Sequence, residues 1–253
     1  MTRAAAWTAR AAFPAMAMAL AGGVLAGCGA SPAHVGPAGI DELTIPTPSP
    51  DPADFTGNAE NTWFPLRPGR RWTYHQELPT GSRTLVATVL PGRPAVDGIP
   101  TRAVRWQVLE GGRTRFAMLR WYAVDAAGNV WWFGQRLASS GPSLDPLARR
   151  SWTAGVHGAQ AGVVLTGTPR QGDGYLNASE RGVVERRSTV ETLSATVVTK
   201  TQTYRHAVAT LDLSTLAPLH VVRTYYVRDV GMVAQSDTES LSSNIWLLRV
   251  SNG

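Results

Sequence analysis

Cysteine is nearly absent from this chain: Cys28 is the only one in 253 residues. No intramolecular disulfide can form, and zinc or iron–sulfur sites built from clustered thiolates are excluded. Lysine is as scarce. Lys200 is its sole representative among 24 basic residues, so arginine carries the positive charge, dispersed along the chain with no basic cluster interleaved with aromatics as a nucleic-acid surface requires. Nucleic acid is therefore not an expected partner. HExxH, GxSxG and SxxK are also missing, which leaves zincin, α/β-hydrolase and penicillin-binding readings without their minimum parts. The apolar run from Ala11 to Val24 falls short of the ~20 residues that span a bilayer.

That run fits an export signal instead. It follows a basic start, Arg3 and Arg10, carries the helix-weakening Pro14, Gly22 and Gly23, and ends in Leu25-Ala26-Gly27-Cys28, which resembles the bacterial lipobox. The resemblance implies cleavage before Cys28 and a diacylglycerol, with palmitate-type acyl chains, on its thiol. Residues 1–27 are then a lipoprotein signal peptide, and the mature protein is held by Cys28 at the extracytoplasmic face of the cell membrane. Residues 28–55 are rich in Pro, Ala and Gly, with Pro46, Pro48, Pro50 and Pro52 at alternate positions. Such a segment builds no core and reads as a disordered tether. Loss of Arg3 and Arg10 lowers the formal charge of +6 by two, leaving the mature chain mildly basic.

Residues 56–253 are long enough for one well-buried domain. Their pattern is period two. Arg70 to Leu78, Arg83 to Leu90, Thr101 to Glu110, Arg113 to Asp125 and Asn129 to Arg136 are rich in Val, Thr, Trp, Tyr and Phe and are bounded by turn residues. The same grammar returns in Val183 to Leu193, Ala195 to Leu211, Pro218 to Arg228, Gly231 to Gln235 and Asn244 to Val250. The expectation is a mainly β, single-domain fold: a curved antiparallel sheet or open barrel with little helix.

Asp125-Ala126-Ala127-Gly128-Asn129 joins two aromatic strands. Asp125 and Gly128 suit a tight hairpin loop, and the oxygen-ligand run and closing glutamate of an EF-hand are missing, so no metal is expected there. Around this loop the chain resembles an uncharacterised bacterial exported-protein family. The likeness lies in Asn61-Thr62-Trp63-Phe64-Pro65-Leu66 followed by Pro68-Gly69, in Asp125 to Gly134, in Ser151 to Gly162, and in Tyr225-Tyr226. Departures fall on polar positions: Thr153 and His157 stand where the family has acids, Gln135 where an acid commonly follows Phe-Gly, and Leu176-Asn177 in place of a Gln-Glu pair. Thr62 and Ala161 replace prolines. The resemblance implies an all-β exported domain and lends no catalytic residue.

Function has to come from the remaining chemistry. His75, His157, His206 and His220 show no ligand spacing, and no cofactor is indicated. His157 lies in the glycine-rich segment Gly155 to Gly162, beside Gln160, where backbone approaches a ligand closely. A hydrolase using His157 with Asp173 or Glu180 is one reading, and a structural or protein-interaction module another. Tryptophan favours a third. All but one of the chain's 9 tryptophans lie in the domain, and a curved sheet lined by such rings binds an acyl chain or a glycan. Trp121, Trp131, Trp132, Trp152, His157 and Gln160 are the candidate ligand-binding residues, with Trp131 and Trp132 on opposite faces of one strand.

Overall fold

A computed structural model describes residues 50–252 apart from 58, 80, 139–146, 148 and 239–243. Cys28, the signal peptide and most of the tether lie outside the described residues, all of which belong to the unit Gly36–Gly253. A single 3-10 turn, Pro52–Asp54, is followed by strands β1 (Arg71–Leu78), β2 (Gly81–Val89), β3 (Ala95–Val96), β4 (Ile99–Pro100), β5 (Arg102–Glu110), β6 (Arg113–Val124) and β7 (Val130–Leu137). Then come β8 (Trp152–Thr153), β9 (Gln160–Leu165), β10 (Gly174–Glu180), β11 (Val184–Val198), β12 (Thr203–Ser214), β13 (Val222–Val227), β14 (Gly231–Asp237) and β15 (Asn244–Ser251). Among the described residues no α-helix occurs.

The sheet runs β6-β5-β2-β1-β15-β14-β13-β12-β11-β10-β9-β7, every pairing antiparallel. A further ladder, from Met118↔Leu137 to Val124↔Val130, joins β7 back to β6 and closes a 12-strand barrel. Closure removes the sheet edges that a curved open sheet would leave as templates for association. β8 pairs with the second half of β7 and β9 with the first half.

Both faces of the wall are covered on the β5–β7 side, and that places the core. β7 is buried at each position from Val130 to Gln135. Trp132 turns inward, whereas Trp131 and Phe133 turn outward against Phe55, with ring centroids 6.0 and 5.6 Å away. Phe55, the last residue of the expected tether, is thus part of the folded domain. Residues 51–57 and 59–70 run as a strap across the end of the barrel that carries the Asp125–Asn129 loop.

Asn61 fixes this strap. Its Nδ2 donates to the carbonyls of Gly128 (2.8 Å) and Thr166 (3.1 Å), and its Oδ1 accepts from the backbone N–H of Trp63 (2.8 Å) and Phe64 (2.9 Å). Asp125 orders the loop itself by accepting from Asn129 N (2.8 Å), Asn129 Nδ2 (2.9 Å) and Trp131 Nε1 (2.8 Å). Gly128 supplies the left-handed residue at φ +81° that the turn requires.

Candidate functional site

The barrel encloses a cavity of about 90 Å³ whose two sides differ in chemistry. Strands β1, β2, β5 and β6 contribute Trp72, Tyr74, Leu85, Ala87, Val104, Trp106, Met118 and Tyr122. Period-two alternation puts these on the inner face. The opposite side mixes polar Asn177, Arg186, Thr224 and Gln235 with apolar Val164, Tyr226, Met232 and Ile245, and Arg120 enters from β6. Phe64 of the strap enters from one end, its ring 5.0 Å from Tyr122 and 6.1 Å from Tyr226.

Asp212 on β12 organises the polar side. Its carboxylate accepts from Arg186 Nη2 (3.1 Å), Ser188 Oγ (2.6 Å), Thr210 Oγ1 (3.0 Å) and Thr224 Oγ1 (2.7 Å). Four donors offset the cost of burying that charge. Gln235 Nε2 extends the network by donating to Thr224 Oγ1 at 3.1 Å, and Asn177 Oδ1 lies 2.8 Å from Ser188 Oγ. Trp132 marks the boundary: the Arg120 and Arg186 guanidinium carbons lie 4.8 and 5.8 Å from its ring, within cation–π range. Arg120 Nε also donates to Gln135 Oε1 (3.1 Å).

On the apolar side Tyr74 stacks on Trp106 at 5.7 Å. The Tyr74 hydroxyl donates to the Met232 carbonyl (3.2 Å), and Trp72 Nε1 to that of Val230 (2.7 Å). Trp106 Nε1 is buried and has no acceptor among the described residues. A buried indole N–H without an acceptor costs about 1–3 kcal/mol, and Trp106 lines the cavity. Burial pushes the phenols of Tyr74 and Tyr226 far up; for Tyr226 the Asp212 charge adds to the rise.

The sequence candidates are divided by this architecture. Trp132 lines the cavity, and Trp152 packs edge-on against it at 4.9 Å. Trp131 faces outward and is held by Asp125, while Trp121 sits beside Gly134, also on the outer face. His157 is exposed at φ +53° in the turn closed by Gly155 N–H to Ala159 O (3.0 Å), and Gln160 is the exposed first residue of β9. Among the described residues no hydrogen bond joins His157 to Asp173 or Glu180. The histidine–carboxylate pair that does form is His220 Nδ1 with Asp237 Oδ2 at 3.1 Å.

The residues that sequence reasoning passed over are Arg120, Arg186 and Asp212; Trp72 and Trp106 counted only among the domain's tryptophans and not among the six candidate residues. A signal was present. Arg186-x-Ser188 and Thr210-x-Asp212-x-Ser214 place polar side chains on one face of their strands, a pattern that reads as solvent-facing until closure turns that face inward.

No family model matches this chain, and no curated protein matches it. Among solved structures it is similar to a protein described as exported, of YmcC-like fold, from Bacteroides fragilis, with 13% identity and a TM-score of 0.44 over 76% of this chain and 100% of that one. It is also similar to a protein described as a lipoprotein from Parabacteroides distasonis, with 9% identity and a TM-score of 0.39 over 77% of this chain and 100% of the other. Likenesses at this level say nothing of function.

Proposed function

We propose that this chain is a cell-envelope lipoprotein, anchored at the extracytoplasmic face of the membrane through acylated Cys28, whose barrel binds an apolar or amphipathic envelope molecule. The anchor rests on the ordered signal elements that end in Leu25-Ala26-Gly27-Cys28. The ligand rests on the mixed lining of the bore: aromatic rings concentrated on the β1–β6 side, and a hydrogen-bonded network of Arg186, Thr224, Gln235 and Asp212 on the opposite side. A site of this kind orients a molecule that has an apolar part and an oxygen-bearing end, such as a lipid or a glycan. Pockets for whole drug-sized ligands run to ~300–1,000 Å³, so a bore of about 90 Å³ takes one end of such a molecule, and Phe64 is the side chain that must yield to a longer one.

Native mass spectrometry of the full chain extracted from its own membrane tests both parts. The expected mass is that of residues 28–253 with the lipid increment and a retained small molecule. Ala87→Leu, which fills the bore, should release that molecule and leave the lipid increment in place. An unmodified Cys28 overturns the anchor. An empty wild-type barrel, indistinguishable from Ala87→Leu, overturns the ligand and leaves a structural or protein-interaction module.

A further inference from the structure

A second cavity, about 230 Å³, lies on the outer surface between the strap, the segment before β5, and the end of β6. Three arginines reach it from separate parts of the chain: Arg67 from the strap, Arg93 from the loop before β3, and Arg102 from the start of β5. One of them is neutralised. Arg67 Nη2 donates to Glu60 at 2.8 Å. Arg93 and Arg102 have no carboxylate partner among the described residues.

Each of those two is nonetheless positioned. Gly57 stands in the left-handed region at φ +79°, and a Cβ there would come within 1.8 Å of Arg93 Nη1. The Arg93 guanidinium therefore lies directly on the Gly57 backbone, and a side chain at position 57 would push it out of this place. Arg102 Nη1 donates to the Gly92 carbonyl at 3.0 Å, which ties it to the same loop. Partial burial lowers the Arg102 pKa, and the Arg93 charge lowers it further. Two like charges thus face one concavity whose one lining carboxylate, Glu60, is engaged by Arg67. Leu66, Pro68 and Val124 wall the same space with apolar surface, so water screens the guanidinium pair less than on an open face.

We propose that Arg93 and Arg102 form a binding site for a phosphate-type oxyanion, distinct from the barrel bore. Guanidinium forks match the tetrahedral oxygens of a phosphate through paired charge-assisted hydrogen bonds. The cavity holds the anion with a short carbon stub and is too small for a nucleotide. Free phosphate and the headgroup of a phospholipid share this chemistry, and two probes separate them.

The test is a thermal-melt titration of the full chain in neutral detergent, with inorganic phosphate in one arm and dihexanoyl phosphatidylglycerol in the other, each against sodium chloride of equal ionic strength. A saturable rise beyond that of chloride is expected in at least one arm, and the tighter arm names the source. Arg93→Gln with Arg102→Gln should weaken binding about tenfold or more, whereas Arg115→Gln, at an exposed ion pair with Glu110, should leave it unchanged. Arg93→Lys keeps the charge, loses the fork, and should fall between. The site is overturned if neither probe exceeds chloride, or if the rise survives in a double variant whose circular dichroism matches the wild type.

Discussion

Asn61 shows how much one side chain does here. It is 2% exposed; two of its four hydrogen bonds tie the strap to the β6–β7 loop and to the end of β9, and the other two brace the strap's own backbone. Removing it orphans two carbonyls and two N–H groups in places where water enters poorly. Each such group costs about 1–3 kcal/mol when left bare, so Asn61→Ala should destabilise by about 3 kcal/mol or more, read as a fall in melting temperature. Asn61→Asp is the sharper variant. It keeps the acceptor for Trp63 and Phe64 but turns a second oxygen toward the carbonyls of Gly128 and Thr166, so it should rescue nothing at neutral pH. Rescue by aspartate would mean that the two donated bonds contribute little. The motif that resembles an exported family was legible at these residues as a string of letters. That Asn61 is a clamp, and Phe64 a stopper in the bore, was not, because their partners stand 67, 105 and, for Tyr226, far more residues away.

At the scale of elements, period-two alternation marked β1, β2, β5, β6 and β7 and most of β11 to β15 to within a few residues. It failed where a strand lacks alternation or a turn lacks turn residues. β9 reads as part of a glycine-rich loop, yet Gly162 is a strand residue whose missing side chain lets the backbone of β10 come close: a Cβ would sit 1.9 Å from the Leu176 carbonyl oxygen. The β11–β12 turn hides among threonines. The sequence suggests a break at Ser194, whereas the chain turns at Thr199–Gln202, where Thr199 Oγ1 accepts from the N–H of Thr201 (3.3 Å) and Gln202 (3.1 Å) in place of the usual glycine or asparagine geometry. Within that turn Lys200 lies 3.0 Å from His75 Nε2 and over Trp246, so this long hairpin reaches across to β1 and β15. β9 carries the corresponding prediction. Its ladder to β10 has two residue pairs, Ala161 with Ala178 and Gln160 with Ser179, supplemented by Asn177 Nδ2 donating to the Val163 carbonyl at 2.8 Å, making this a short seam in the wall. Gly162→Ala should part it, lowering the melting temperature by far more than Gly182→Ala, where nothing lies within 4 Å and only the cost of a left-handed alanine, about 1 kcal/mol, applies. Hydrogen exchange should quicken in β9 and β10 first. Equal effects of the two substitutions would show that β9 and β10 are not in close register.

On the scale of the whole molecule, closure decides what burial means. An open sheet would wet one face. The barrel instead shields both faces over much of its wall, and buried phenols record this. Burial is the leading cause holding the hydroxyls of Tyr74, Tyr175 and Tyr226 above their ordinary range, and the Asp173 and Asp212 carboxylates add to it for the latter two. An unfolded tyrosine ionises near pH 10. Below that value both states keep their phenolic protons, and the contribution to stability is fully present. Above it the unfolded chain sheds protons that the native barrel retains, so unfolding is favoured more with each increment of pH. Stability should therefore hold up to about pH 10 and fall steeply beyond. A spectrophotometric titration followed alongside circular dichroism checks this: of the 6 tyrosines, these three should ionise only as the β signal is lost. Reversible ionisation of all 6 near pH 10 with the β signal intact would mean that water reaches the bore freely. The apolar wall on which the ligand proposal depends would then not exist as a dry surface.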